Sequence, residues 1–135
     1  MVKQVLIIDD DEDDCDLFAD AMKTLDEPVE CRKAFSVESA VTLLKSPAYK
    51  PDYIFLDINM GIYGGKKCLL DIAQIETLKS TPVIMYTTSK RKEDKEWSMQ
   101  LGAAHYITKP SSLTELCDEI DFVLHHDWSE NHKHQ

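Results

Sequence analysis

Four short stretches carry the side chains able to do chemistry: Asp9-Asp10, Asp57, Thr87-Thr88 and Lys109-Pro110. Each follows a short apolar run: Val5-Leu6-Ile7-Ile8, Tyr53-Ile54-Phe55-Leu56, Val83-Ile84-Met85-Tyr86 and His105-Tyr106-Ile107. Carboxylates gathered in one place repel one another and need a cation to stay ionised together. An all-oxygen donor set suits magnesium or manganese better than zinc. Lys109 adds a second positive charge and Thr87 a hydroxyl donor. Cation, ammonium and hydroxyl together make a cradle for the outer oxygens of a phosphoryl group in transfer. A carboxylate can be the nucleophile in such a transfer, giving an aspartyl phosphate.

That chemistry requires elements that bring the four stretches together. Strand and helix signals alternate along the chain. After the first apolar run, Leu17, Phe18, Ala21, Met22 and Leu25 form a stripe at helical spacing, which Pro28 ends. A weaker strand, 29–35, follows, and Ser36 caps a second helix bearing Val37, Ala40, Val41 and Leu44. A glycine-rich loop (Gly61, Gly64, Gly65) precedes a third helix with Leu69, Ile72, Ala73 and Ile75. Residues 90–101 read as a fourth helix, with Trp97 and Leu101 inward and Gly102 ending it. Ser112 and Glu115 form a capping box for the last helix, whose stripe is Leu113, Leu116, Cys117, Ile120 and Leu124. Five strands alternating with five helices predict an α/β fold with a doubly wound parallel sheet. The second and fifth strands are the least apolar and so belong at the edges, which the flavodoxin-like order 2-1-3-4-5 provides. In that order the carboxyl ends of strands one and three meet where the winding reverses, the usual ligand site. Asp9, Asp10 and Asp57 lie there. Residues 1–126 read as one domain and 127–135 as a polar, frayed tail.

Composition narrows the classes. The chain has 135 residues, enough for one core, and a formal net charge of -10, which argues against nucleic acid as a partner. No apolar run is long enough to span a bilayer and no leader is evident, so neither a membrane nor secretion is expected. Cys15, Cys31, Cys68 and Cys117 form no CxxC pair, and reduced thiols in a cytoplasmic protein are expected. Every residue from Asp9 to Asp16 except Cys15 is acidic. Asp11, Glu12, Asp13, Asp14 and Asp16 read as solvated charges at a helix N-terminus, whereas Asp9 and Asp10 sit at a strand end opposite Asp57.

These motifs, taken in order, resemble the receiver domains of bacterial two-component response regulators, nearest to the single-domain chemotaxis type. The motifs are Val5-Leu6-Ile7-Ile8-Asp9-Asp10, Phe55-Leu56-Asp57-Ile58-Asn59-Met60, Val83-Ile84-Met85-Tyr86-Thr87-Thr88 and Ile107-Thr108-Lys109-Pro110. The resemblance implies a phosphorylation-dependent signalling switch, not an enzyme, that assists its own phosphorylation and dephosphorylation. It implies Asp57 as phosphoacceptor and Asp10 as a direct ligand of Mg2+ or Mn2+, with Asp9 holding metal-bound water. The backbone carbonyl of Asn59 and Asp57 complete the metal set. It implies Lys109 as the phosphoryl contact and Thr87 and Tyr106 as the switch pair. A cis Lys109-Pro110 bond is expected, and Asn59 and Ser89 stand where the family tunes dephosphorylation. The implied partners are a sensor histidine kinase or histidine phosphotransfer protein and a downstream protein target. Gly61 and the Gly64-Gly65 pair depart from the pattern and predict a looser loop after Asp57.

Other readings fit less well. Asp9-x-Asp11 with Thr87 and Lys109 also resembles a haloacid dehalogenase-type phosphatase with Asp9 as nucleophile. That pattern wants threonine or valine where Asp13 stands, wants a later acidic pair, and leaves Asp57 without a role. Asp9, Asp11 and Asp13 imitate an EF-hand loop, but Asp14 replaces its glycine and Asp20 its glutamate, and a strand precedes it. Lys90, Arg91, Lys92 and Lys95 form a basic turn that reads as a solvated face. His125, His126, His132 and His134 read as part of a loose tail.

Overall fold

The computed structural model describes residues 2–61 and 64–129. Five parallel strands run β1 (Lys3–Ile8), β2 (Val29–Ala34), β3 (Tyr53–Leu56), β4 (Val83–Thr87) and β5 (His105–Thr108). Five helices connect and follow them: α1 (Glu12–Lys23), α2 (Val37–Lys45), α3 (Gly64–Ala73), α4 (Lys92–Gln100) and α5 (Leu113–His125). The sheet order is β2-β1-β3-β4-β5, the flavodoxin-like order expected, with the two least apolar strands at its edges.

The strands are apolar on both faces because both faces are covered. Along β1, Val5 and Ile7 join a core under α1 and α5, while Leu6 and Ile8 join a second core under α2 and α3. This is the layering that parallel strands joined by right-handed crossovers require. The centre of the first core is aromatic. The Phe18 ring lies 4.7 Å from Phe55 and 5.2 Å from Tyr86, and Phe18 is fully buried. Truncating Phe18→Ala should therefore lower stability by about 3–5 kcal/mol, since the sheet cannot collapse into the void. The midpoint of urea unfolding, at unchanged slope, measures it.

Several local expectations change. Leu17 and Leu113 are 56% and 54% exposed. In α1 the buried arc is Cys15, Phe18, Ala21 and Met22, and Leu17 lies a helical step outside it. Helix α1 ends at Lys23 with Thr24 as its cap, before Pro28. Helix α4 starts at Lys92, and Arg91 before it gives no side-chain cap. Gly102, at φ 109°, terminates that helix as expected. No peptide bond among the described residues is cis, so Lys109-Pro110 is trans, the form an X-Pro amide favours by about 0.5–1 kcal/mol.

Gly64 and Gly65 begin α3 instead of lying in the loop. The expected tail is also partly structured: Trp128 is buried, and its indole N–H donates to the Val123 carbonyl at 2.8 Å. His125 closes α5, and the His126 ring lies 4.3 Å from Trp128. The rest of that tail, with His132 and His134, and the part of the Gly61–Gly65 loop at Ile62 and Tyr63 lie outside the described residues.

Candidate functional site

The site forms where the ladder ends. The Asp57 N–H donates to the Ile8 carbonyl (3.0 Å) and the Asp9 N–H to the Ala34 carbonyl (3.0 Å). Strands β1, β2 and β3 thus fix the backbones of both aspartates. The Lys109 N–H donates to the Thr87 carbonyl at 2.7 Å, which anchors the end of β5 to β4. From there the Lys109 side chain, 9% exposed, reaches back across the rim. Its ammonium donates to Asp9 Oδ2 (2.7 Å), Asp14 Oδ2 (2.7 Å) and Asp57 Oδ2 (3.2 Å). It also lies 5.3 Å from the centre of the Tyr86 ring, so the aromatic core forms the floor of the site.

The remaining carboxylate oxygens are held by backbone. Asp57 Oδ1 accepts from the Asn59 N–H (3.0 Å), and Asp9 Oδ1 accepts from the Asp11 N–H (2.9 Å). Thr87 is fully buried, and its hydroxyl oxygen accepts from Asn59 Nδ2 and the Ser89 N–H, both at 3.4 Å. Tyr106 donates its hydroxyl to the Ser89 carbonyl at 2.9 Å. One residue, Ser89, therefore touches both members of the expected switch pair. Its own hydroxyl bonds Asp94 Oδ2 (2.5 Å), and the Trp97 indole holds the other oxygen of that carboxylate (3.0 Å). This brace to α4 was not visible in the sequence.

Asp9, Asp57, Lys109, Asn59 and Thr87 are thus brought together as expected. Asp10 is exposed and does not share the ammonium; it lines a shallow depression with Met60 and Gly61. Asp14 is the residue that sequence reasoning placed wrongly. It is part of the Lys109 cluster, not a solvated charge. No sequence feature separates it from Asp13: its direction follows from the helix start, where Asp11 is the N-cap of α1 and its carboxylate accepts from the Asp14 N–H (3.1 Å). Asp11, Glu12, Asp13 and Asp16 are exposed as expected.

Electrostatically the cluster carries an excess of negative charge: three carboxylates against one ammonium. Burial, offset by the Lys109 and Asp11 hydrogen bonds and reinforced by Asp57, pushes Asp9 up to about 6. Burial opposes the charge on Lys109, but its bonds to Asp14 and Asp9 outweigh this and hold it above its ordinary range. Among the described residues, no group of three His, Cys, Asp or Glu side chains is arranged to hold a metal. The donor type and the excess charge nonetheless fit a hard divalent cation entering beside Asp9 and Asp57.

The family model of the response regulator receiver domain matches residues 5–121. Among solved structures, a phosphorylated cyanobacterial phytochrome response regulator, RcpA, is 27% identical with a TM-score of 0.81, covering 91% of each chain. The Mn2+-bound form of the response regulator Rcp1 is 28% identical with a TM-score of 0.76, covering 90% of this chain and 91% of that one. A chemotaxis protein of Vibrio cholerae, CheY4, is 23% identical with a TM-score of 0.78 over 91% of this chain and 99% of that one, and shares the fold.

Proposed function

The chain belongs to the response regulator receiver domain family, a family of two-component signalling, and from that premise we propose that it accepts a phosphoryl group on Asp57 with the help of Mg2+ or Mn2+. The observation that carries this reading is the Lys109 ammonium, 3.2 Å from Asp57 Oδ2 and shared with Asp9. Both oxygens of Asp57 are held, one by the Asn59 N–H and one by Lys109, as both oxygens of Asp9 are by the Asp11 N–H and Lys109. Asp9, Asp10, Asp57 and the Asn59 carbonyl would hold the cation, which supplies charge neutralisation for the carboxylates and the incoming phosphate. The phosphorylated state of RcpA and the Mn2+ of Rcp1 support the assignment by similarity.

The phosphoryl source is a sensor histidine kinase or a histidine phosphotransfer protein, and the output is contact with a downstream protein. Phosphorylation shifts a pre-existing equilibrium in proportion to its differential contacts with two states. Ser89 supports a physical route for that shift. Its N–H holds the Thr87 hydroxyl and its carbonyl holds Tyr106. A Thr87 hydroxyl drawn toward the phosphate releases one end of this unit, and Tyr106 responds at the other, beside α4, β5 and α5. No described helix is long and apolar enough to cross a membrane. The four cysteines are free, which suits the reducing cytoplasm proposed as the setting.

Acetyl phosphate with Mg2+ tests the reading. Intact-mass analysis should show one phosphoryl adduct on the wild-type chain and none on Asp57→Asn. Steady hydrolysis of phosphate esters that survives Asp57→Asn but is lost in Asp9→Asn would instead establish the phosphatase reading.

A further inference from the structure

Asp14 departs from its acidic neighbours in what it touches. The exposed acids around it face solvent, while Asp14 Oδ2 accepts from Lys109 at 2.7 Å, as short as the Asp9 contact and shorter than that to Asp57. Lysine has three N–H donors, and these three carboxylates take one each. The placement is built, not incidental. Asp9 Oδ1 holds the Asp11 N–H, and the Asp11 carboxylate holds the Asp14 N–H, so a chain of hydrogen bonds fixes the first turn of α1 to the strand end.

We infer that Asp14 is a positioning residue that restrains the Lys109 ammonium and competes for it with the oxygens of a transferring phosphoryl group. This rests on the phosphoacceptor reading of Asp57. In transfer from acetyl phosphate an Asp57 oxygen forms a bond to phosphorus, the donor's P–O bond breaks, and acetate leaves with the electron pair; from a phosphohistidine the P–N bond breaks and the imidazole leaves with it. No proton leaves Lys109, which acts through charge and N–H donation alone. To add a bond to the phosphoryl oxygens, Lys109 must give up a carboxylate. Asp9 is 0% exposed, so bulk solvent does not reach it to replace the ammonium, whereas Asp14 is 32% exposed and is readily resolvated. Asp14 is therefore the partner released. Its charge also deepens the negative potential that attracts a cation, so it has opposite effects on the two ligands of the site.

That opposition gives the test. Asp14→Asn keeps the shape and removes the charge. At saturating Mg2+, its rate of adduct formation from acetyl phosphate should rise about two- to fivefold, the range for a partly exposed charge pair. Its dissociation constant for Mg2+, measured by calorimetry without phosphodonor, should rise by a similar factor, about two- to fivefold. Asp14→Glu should move both values back toward wild type. A merely structural role predicts a slower rate with weaker cation binding, or no change in either, and each result overturns the inference. Adduct on the wild type with unchanged Asp14→Asn kinetics sinks this inference alone. No adduct on the wild type overturns the phosphoacceptor reading and this inference with it.

Discussion

Replacing Lys109 by Met should destabilise the metal-free protein by about 3–5 kcal/mol, and a divalent cation should restore much of the loss. The magnitude follows from what is left behind. Removing one partner of a buried ion pair leaves an uncompensated buried charge, which costs far more than the pair itself is worth. Here Asp9 and Asp57 have side chains 0% and 6% exposed, and Lys109 is the cation shown between them. Methionine keeps the length of the stem and its packing over Tyr86, so the charge is the main thing removed.

The pH dependence has a definite sign. Asp9 is already raised to about 6 by burial, and Lys109 is among the groups that hold it down. A carboxylate whose folded pKa is raised binds more protons in the folded state, so stability falls as pH rises from its ordinary range toward that value. In Lys109→Met the folded pKa of Asp9 goes higher still. The variant should therefore recover stability as pH falls toward about 5, where Asp9 becomes neutral. It should also recover at neutral pH when Mn2+ or Mg2+ is added, because a ligand that binds only the folded state adds stability by mass action. Urea unfolding at both pH values, with and without cation, measures both effects. A loss below about 1 kcal/mol would mean that Asp9 and Asp57 are compensated without the ammonium.

The sequence makes legible what depends on continuous apolar runs and on the types of residue that end them. Residues 5–8, 53–56 and 83–86 read as strands covered on both sides, and the polar content of the second strand sends it to an edge. Those two facts bring Asp9 beside Asp57. What stays hidden depends on direction. Asp14 has the same composition signal as Asp13, and only the start of α1 at Glu12 turns one toward Lys109 and leaves the other in water. The Ser89–Asp94–Trp97 brace is equally silent, because its members are ordinary surface residues until α4 folds back on the loop.

Gly65→Ala should be the most damaging of the glycine substitutions, costing about 2 kcal/mol or more and slowing phosphorylation at least about tenfold. The departure from the family pattern at Gly61 and Gly64-Gly65 predicts a looser loop beside Asp57. The structure places Gly64 and Gly65 in the first turn of α3 instead. A Cβ on Gly65 would collide with Ile58 Cα and come within 2.5 Å of the Asp57 carbonyl and 2.7 Å of the Ile58 carbonyl. These are backbone atoms that cannot rotate away, and the Gly65 N–H donates to the Ile58 carbonyl at 3.2 Å. The glycine lets the first turn of α3 press directly on the segment that carries the phosphoacceptor. Alanine is the better helix former by about 1 kcal/mol, but overpacking against backbone typically costs about 1–3 kcal/mol and here has no flexible neighbour to absorb it.

Two neighbours serve as controls. Gly64→Ala meets Met60 Cβ at 2.9 Å, and Gly61→Ala meets nothing within 4 Å and costs about 1–2 kcal/mol through its φ of +74°. The order of damage should be Gly65 first, in both unfolding midpoint and rate of adduct formation. Loss of stability alone would mean that α3 moves away from Asp57. Loss of rate as well means that the displaced element is the Asp57–Ile58 backbone, so that the glycine positions the nucleophile by letting a helix approach it.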